Sequence, residues 1–309
     1  MNFELNETEK MLSDTLDRFV LDAPAGDLAQ WTHCVDMGLQ GASVPEEIGG
    51  FGLGLNGGML VARSLGTMLS PLDWGRDSVL PATLLAQMAP NDAKAADALE
   101  AFLQGEIRVA VLQEDSEQCI NLPAIPSVGL ALILRAAGTE LIWLDASEVD
   151  GQADTLIDGQ KVIRVSVKDM PSQVLPEHIK ESLKTSARVM AAADRLGAME
   201  KAFSMTLDYC RTRQQFGRPL SAFQALQHRL VDMSIACDEV QSIVFAAAMA
   251  VNAEKSDASR LASAAWERAL DLGQKVGEEA IQLHGGIGMT EECDVGHYVK
   301  RMMVRRPLL

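Results

Sequence analysis

The stretch YCRTRQQFGRPLSAFQALQHRLVDM (residues 209–233) does most to decide the fold of this chain. Its first residues continue a helical pattern that we expect to end near Arg213, because the following segment 217–219 is the turn sequence Gly-Arg-Pro. The apolar positions after this turn resume a helical period, so a second helix is predicted to begin near Ser221. The stretch therefore predicts a corner between two long helices, and a bundle of about four helices fits residues 177–309.

A third long helix of this bundle is predicted over residues 257–284. Apolar residues recur there at steps of three and four, at Leu261, Ala265, Ala269, Leu272, Val276, Ala280 and Leu283. Ser256 is the expected N-cap of this helix, and the pair Gly285-Gly286 is its expected end.

The rest of the chain divides into a helical part and a part with strand patterns. Asn6 and Glu9 have the spacing of a capping box, and Ala- and Leu-rich helical pieces continue to residue 106. From residue 107 the sequence pattern changes to short runs of Val, Ile and Leu separated by turn-forming residues. This pattern predicts antiparallel strands. These runs are VAVL (109–112), ALILRA (131–136), ELIWLD (140–145) and KVIRVSV (161–167). The chain is thus predicted to be mainly α with a small β domain: helices over 1–106, strands over 107–176 and the bundle over 177–309.

Composition excludes several functional classes. The net charge of −16 argues against a protein that coats nucleic acid or an anionic membrane. The five cysteines are scattered without CxxC or metal-ligand spacing, so we expect free thiols and no metal site. The acidic N-terminal segment MNFELNETEK lacks the basic head and apolar run of a secretion signal, and we find no apolar run of membrane-spanning length. We therefore expect a soluble, cytoplasmic protein.

The predicted helix corner carries the first candidate for chemistry. Arginines 211, 213 and 218 cluster where helix ends leave backbone groups free, and such a cluster suits a phosphate. Phe216 and Phe223 are candidates to lie against a flat ring system. A basic corner between two helices without any ligand is the alternative interpretation.

A second candidate is the glycine-rich segment QLHGGIGMTEE (282–292). Adjacent glycines allow a backbone to approach a pyrophosphate or adenosine closely, although they also form plain helix ends. A third segment, VPEEIGGFGLGL (44–55), suggests a fixed irregular loop with a structural role.

These three segments, in this order and at this spacing, resemble the acyl-CoA dehydrogenase family. The loop at 44–55 is similar to the family element PEE-x-GG-x-G, the run RQQFG…FQ…DM to its main signature, and Q-x-x-GG-x-G-x-T-x-E to its C-terminal signature. The resemblance is strong over 1–60 and 177–300 and weak over 107–176. It implies an N-terminal helical domain, a middle β domain and a C-terminal four-helix bundle, with each FAD lying between two subunits.

The resemblance also implies roles for individual residues. Arg213 matches the family arginine that contacts the FAD pyrophosphate of the neighbouring subunit. Phe216 and Gln224 match residues beside the same dinucleotide. The residues that match those at its adenosine end are Gln282, Gly285 and Gly286.

The implied reaction is α,β-dehydrogenation of an acyl-CoA thioester. In the family a carboxylate removes the α-proton while a hydride leaves the β-carbon for the flavin. Electron-transfer flavoprotein or a similar acceptor is the implied partner for reoxidation.

The chain departs from the family at the catalytic base. One family position lies beyond residue 309, and the other, ten residues before the glycine that matches Gly197, is Ala187. Asp194 is a weak candidate on the same helix face, because it lies about 10 Å further along the axis. Its alternative is a carboxylate on the surface of the bundle.

The middle domain departs as well. Gln113-Glu114 stands in the matching region without the following Gly-Ser-Asp of the family, and Trp143 comes late for the family tryptophan. The segment 107–176 is short for the family barrel, so we expect a reduced β domain with a weak hold on the flavin ring. The basic cluster of the C-terminal segment is expected either to serve CoA phosphates or a partner chain, or to be a solvated helix end; its members are Lys300, Arg301, Arg305 and Arg306.

These departures resemble a subset of the family, short chains that form α2β2 heterotetramers and act on bulky CoA thioesters such as steroid side-chain intermediates. The sequence therefore predicts an FAD-sharing subunit whose partner, a related dehydrogenase chain, supplies the base. Two alternatives stay open: a self-sufficient homo-oligomeric dehydrogenase with an unusual base, and a non-catalytic scaffold subunit.

Overall fold

The longest element is the 36-residue helix α6 (Glu177–Thr212), and the other helices are arranged around it. The computed structural model describes residues 5–22, 24, 26–123, 128–135, 140–146, 149 and 151–307. The predicted class, mainly α with a small β domain, is confirmed. The helices in these ranges are α1 (Glu7–Asp22), α2 (Asp27–Asp36), α3 (Gly54–Thr67), α4 (Leu80–Met88), α5 (Ala93–Leu103), α6, α7 (Gln224–Asn252), α8 (Ala258–His284) and α9 (Val295–Val304).

Short strands separate α5 from α6. They are β1 (Arg108–Gln113), β2 (Cys119–Pro123), β3 (Val128–Leu134), β4 (Glu140–Asp145), β5 (Asp154–Thr155), β6 (Lys161–Ser166) and β7 (Gln173–Val174), and β8 (Gln214–Gln215) with β9 (Arg218–Pro219) form a separate hairpin. One sheet has the order β1-β3-β4-β7 and the other the order β2-β6-β5. Strands β2 and β7 were not predicted from the sequence. Each lies at the edge of its sheet.

The prediction of purely antiparallel strands is wrong for one pair, because β1 and β3 are parallel. After β1 the chain enters β2, which pairs with β6 in the other sheet. This connection through β2 brings the chain back to the end of the first sheet at which β1 begins. Strand β3 therefore runs in the same direction as β1. A parallel pair needs such a crossover.

Close contact between α3 and α6 fixes the first helices onto the bundle. A Cβ added to Gly66 of α3 would overlap the carbonyl oxygen of Asp194, and one added to Gly197 of α6 would overlap that of Arg63. The two helix backbones therefore touch where they cross, which only glycine permits. Tight packing explains the small residues of α6 at this crossing.

One hydrophobic core runs from the first helices into the bundle. Leu16, Leu65, Leu85 and Leu196 belong to the same buried cluster, and a smaller cluster lies between the strands. The predicted domain boundaries at 106 and 176 remain predictions. In length and composition α7 meets the criteria for a membrane span, as core helices of bundles also do, and 44% of its most apolar window is buried here.

The predicted helix ends are confirmed at two of three places. Asn6 and Glu9 exchange the two hydrogen bonds of a capping box, at 2.9 and 2.8 Å. Gly285 ends α8 with a φ of +68°. Ser256 is not the N-cap of α8, because the turn after α7 extends one residue further and places Asp257 there.

Candidate functional site

The helix corner forms where the sequence predicts it. After α6 ends at Thr212, the hairpin β8–β9 and a 3-10 turn over Leu220–Ala222 lead into α7. Phe216 and Gly217 both have left-handed backbone angles, with φ of +51° and +78°. This conformation is costly for a phenylalanine, which makes the position of Phe216 notable.

The aromatic and arginine side chains of the corner contact one another and leave Phe216 in solvent. The guanidinium of Arg218 lies 4.0 Å from the ring centre of Phe223, and Phe223 meets Phe216 edge to face at 6.2 Å. Phe216 is nevertheless 90% exposed. Arg213 is exposed too, and no carboxylate within the described ranges forms an ion pair with it. The exposed Phe216 ring therefore lies in the same corner as an arginine with which no described carboxylate pairs.

The glycine segment is open on its outer side. Gly285 and Gly286 are both exposed, and a Cβ built on either meets no atom within 4 Å. Gly285 needs glycine for its positive φ, but Gly286 has no such angle. Neither conformation nor packing within this chain therefore explains a glycine at 286, whereas close approach of another molecule would.

Tyr209 and His284 tie the corner to the glycine segment. Their rings stack with centres 4.4 Å apart, and the Tyr209 hydroxyl donates to the His284 carbonyl at 3.3 Å. The His284 ring is buried, and its Nδ1 lies 2.8 Å from the Ala280 carbonyl, so this nitrogen carries the proton. Because Arg213 lies one helical turn beyond Tyr209, the structure brings the two predicted segments together.

The sequence analysis did not single out Tyr209 or His284. The available signal was their position, four residues before Arg213 and one before Gly285. The remaining two predicted residues, Gln224 at the start of α7 and Gln282 in the last turn of α8, are exposed. All six predicted cofactor residues therefore belong to exposed segments at the ends of bundle helices.

The position that matches the family base has a different environment. Ala187 is buried on α6 and lines a cavity of about 50 Å³, shared with Met190 and Asp194 of the same helix. Arg305 and Pro307 of the C-terminal segment line its other side. Pockets for organic ligands usually measure about 300–1,000 Å³, so this cavity has room only for a few waters.

Ion pairs and hydrogen bonds fix the C-terminal side of this cavity. Arg305 is 7% exposed and places Nη1 2.7 Å from the Asp73 carboxylate, while its Nη2 donates to the carbonyls of Pro71 and Leu72. Burial raises the pKa of Asp73, but Arg305 and Arg76 outweigh it, and the pKa lies below its usual range. The C-terminal segment is therefore bound to the loop before α4 by charge as well as by hydrogen bonds.

Asp194 is not a surface carboxylate. It is 8% exposed and accepts from Arg301 Nε at 3.1 Å and Nη2 at 2.5 Å. Arg301 also donates to the Ser70 carbonyl, so it joins α6, α9 and the loop after α3. Both Asp194 oxygens thus accept hydrogen bonds from a buried cation, which gives this residue a structural role in the chain.

Both expectations for the basic cluster are therefore wrong for its two central members. Arg301 and Arg305 neither face solvent nor offer their charge to a ligand, because each is buried against an aspartate. Lys300 lies on the surface and pairs with Glu291 at 2.6 Å. Spacing in sequence did not distinguish these cases, since their partners lie far away in the chain.

A second buried network anchors the β domain to this region. Asp77 is fully buried and contacts Arg76 at 2.6 Å and Arg108 at 2.9 Å. Burial raises the pKa of Asp77, yet the two arginines together hold it well below its usual range.

Glu114, in the region where the family carries its flavin-contacting run, is buried against Arg135 at 3.0 Å. Trp143 lies on β4 with the Lys94 ammonium 4.4 Å from its ring centre.

Three comparisons with known proteins agree with this architecture. Residues 179–308 match the family model described as "Acyl-CoA dehydrogenase, C-terminal domain". The acyl-CoA dehydrogenase IpdE2 of Mycobacterium tuberculosis is 28% identical over 87% of this chain and 78% of its own length.

Solved structures share the whole fold. The steroid ACAD variant Tcur3481-Tcur3483 matches with a TM-score of 0.80 at 22% identity, over 96% of this chain and 92% of its own. The ChsE4-ChsE5 complex of Mycobacterium tuberculosis matches with a TM-score of 0.77 at 22% identity, over 98% and 93%. The helix bundle and the β region therefore have the acyl-CoA dehydrogenase fold. Over residues 179–308 the chain matches the acyl-CoA dehydrogenase family.

Proposed function

We propose that this chain is the FAD-sharing subunit of a heteromeric acyl-CoA dehydrogenase, and that a related partner subunit carries the catalytic base and the acyl group. The observation that carries the proposal is a contrast between two regions. The cavity at Ala187 measures about 50 Å³, and the carboxylates that line it, Asp73 and Asp194, are both ion-paired with arginines, whereas the corner around Arg213 and Gly285 is exposed.

The residues of the corner fit a dinucleotide. Arg213 offers an unpaired guanidinium to a pyrophosphate, and the exposed backbone at Gly285 and Gly286 allows an adenosine to approach without meeting a side chain. Phe216 presents an exposed ring beside them. FAD, when bound, would accept the hydride from the β-carbon of the acyl-CoA.

In this proposal the chain orients one end of a cofactor whose ring lies in the partner. Removal of the α-proton falls to the partner, because Ala187 cannot accept a proton and Asp194 is held by Arg301. The names of the matched two-component steroid ACAD and of the ChsE4-ChsE5 complex support a heteromeric assembly. We propose that it is an α2β2 heterotetramer acting on a bulky CoA thioester such as a steroid side-chain intermediate. Electron-transfer flavoprotein or a similar protein is the proposed acceptor.

The test compares the chain alone with the chain co-expressed with the related dehydrogenase subunit encoded beside it. We expect a yellow preparation that reduces its flavin with acyl-CoA thioesters only from the pair. A yellow and active preparation of this chain alone would instead support the homo-oligomeric enzyme. Colourless and inert preparations in both cases would support the scaffold.

Arg213→Gln and Arg211→Gln provide a matched pair of variants. Arg211 lies two residues away but contacts Asp208 at 3.7 Å, so its charge is already engaged. A charge-assisted bond to phosphate contributes about 1.5–3 kcal/mol. We therefore expect the co-expressed complex to lose FAD affinity at least about tenfold with Arg213→Gln and to change little with Arg211→Gln.

A further inference from the structure

Arg195 is a buried cation without a carboxylate of its own. It is 3% exposed, and its Nη2 donates to the carbonyls of Met302 and Arg305. Nε has no hydrogen-bond partner, and no carboxylate in the described part of the chain lies within ion-pair distance. The neighbouring Asp194 is taken up by Arg301.

The surroundings of Arg195 compensate only in part for the missing carboxylate. Its guanidinium lies 5.1 Å from the ring centre of Trp266, and Gly273 leaves the space that its side chain fills. Burial lowers the pKa of Arg195 to about 10, against the opposing effect of Asp194, and the positive Arg306 lowers it further. An unpaired buried charge costs several kcal/mol, which makes an external anion the simplest compensation.

A groove gives such an anion access. It lies between α8 and α9, has a volume of about 310 Å³, and is lined by Arg195 together with Gly273 and Gly277. Met303, 62% exposed, and the exposed Arg306 stand at its side. Glu278 also lines the groove, but its carboxylate accepts from Gln274 and makes no ion pair with Arg195.

We infer that the groove between α8 and α9 is a docking site for the partner subunit, and that an acidic side chain of that subunit enters it to pair with Arg195. Charge complementarity supports this occupant: the two cations Arg195 and Arg306 line the groove against the single carboxylate of Glu278, and among the described residues no carboxylate forms an ion pair with Arg195. Exposed Met303 beside them provides apolar contact of the kind found in interface centres. The inference rests on the proposed heteromer, whose other contact region is the FAD corner at the C-terminal ends of α6 and α8.

The first test measures the dissociation constant between this chain and the related subunit encoded beside it. Arg195→Met keeps the length and packing of the side chain and removes its charge. Loss of one member of a buried ion pair at an interface weakens binding by at least about 30-fold, and this is the expected result. The control, Arg306→Gln, removes the exposed cation of the same groove and is expected to change the constant about threefold or less.

A second measurement follows Arg195 itself in the unsubstituted chain and does not depend on the binding affinity of a variant. The Nε–H signal of Arg195 is observed in the chain labelled with ¹⁵N-arginine and assigned by its loss in Arg195→Met. Addition of the unlabelled partner is expected to shift this signal and to slow its exchange with water, whereas sodium acetate alone is not. A shift with acetate alone would identify a site for free anions and overturn the inference.

The two proposals fail in different ways. If the two chains neither assemble nor reduce flavin together, the proposed function is wrong. If they assemble and turn over acyl-CoA, but Arg195→Met leaves the dissociation constant unchanged and the Nε–H signal does not respond to the partner, only the docking site is wrong.

Discussion

The Asp194–Arg301 pair provides the sharpest test of how this chain divides structure from catalysis. Asp194→Asn keeps the size of the side chain and removes its charge. Arg301, 4% exposed, is then left buried with the carbonyls of Ser70 and Leu72 as its acceptors. Removal of one member of a buried pair costs about 3–5 kcal/mol, and the retained amide oxygen places this case near about 3 kcal/mol.

The expected loss is large enough to measure. A change of 1 kcal/mol shifts the Tm of a large domain by about 2 °C, so Asp194→Asn is expected to lower the Tm by about 6 °C. Thermal and urea unfolding of the purified chain, followed by circular dichroism, provide the measurement. The control is Glu200→Gln, which opens the Arg63–Glu200 pair, whose side chains are 29% and 23% exposed. Partly exposed pairs contribute about 1 kcal/mol or less, so this variant is expected to shift the Tm by about 2 °C at most.

Turnover distinguishes the structural role of Asp194 from a catalytic one. In the reconstituted complex, assayed well below the Tm, we expect Asp194→Asn to leave the rate per folded complex within about twofold. Loss of a general base lowers the rate by at least about 100-fold. A loss of that size with an unchanged Tm would refute the structural role and restore Asp194 as the base.

Three further outcomes follow from the structure. Gly285→Ala is expected to lower the FAD content of the complex, because it adds a Cβ at a φ of +68° on the open side, whereas Gly159→Ala, at a φ of +87° on the β5–β6 turn, is expected to leave it unchanged. The pKa of Asp77 is depressed in the folded chain, so the stability that it contributes is present above about pH 4 and is lost as pH falls through the folded pKa; urea titrations from pH 7 to pH 3 should show this loss, and Asp77→Asn should diminish it. Burial raises the pKa of the Cys34 thiol to about 12, so under native conditions a thiol reagent should modify the partly exposed Cys293 much faster than Cys34, and equal rates would contradict this.

Local patterns account for what the sequence predicted correctly. Helical periods, the Asn6–Glu9 capping box and the glycine after α8 each depend on residues within a few positions of one another. The corner between α6 and α7 belongs to the same class, because Gly217 and its neighbours form the turn without help from distant segments. Four of the strands between α5 and α6 were also predicted from short apolar runs.

The errors have a common physical origin in long-range pairing. The partners of Arg301 and Arg305 are Asp194 and Asp73, more than a hundred residues away, so a basic C-terminal segment looked like a surface feature. The parallel β1–β3 pair likewise depends on where β2 finds its partner, which is β6. Propensity and spacing carry no information about such contacts, and the family resemblance supplied none at these positions.

The small cavity at Ala187 and the exposed corner differ in whether contacts within this chain account for their residues. Around Ala187 the two buried arginines of the C-terminal segment form ion pairs within the chain: Arg305 pairs with Asp73, and Arg301 pairs with Asp194. At the corner, Phe216 keeps both a costly backbone angle and 90% exposure, and Gly286 has neither a conformational nor a packing reason to be glycine. Features that cost free energy and contribute nothing inside one chain persist when something outside it uses them. We therefore expect the corner to gain its contacts only from a bound dinucleotide and a second subunit, and hydrogen exchange of the corner amides, fast in the chain alone and slowed in the FAD-loaded pair, is the measurement that decides it.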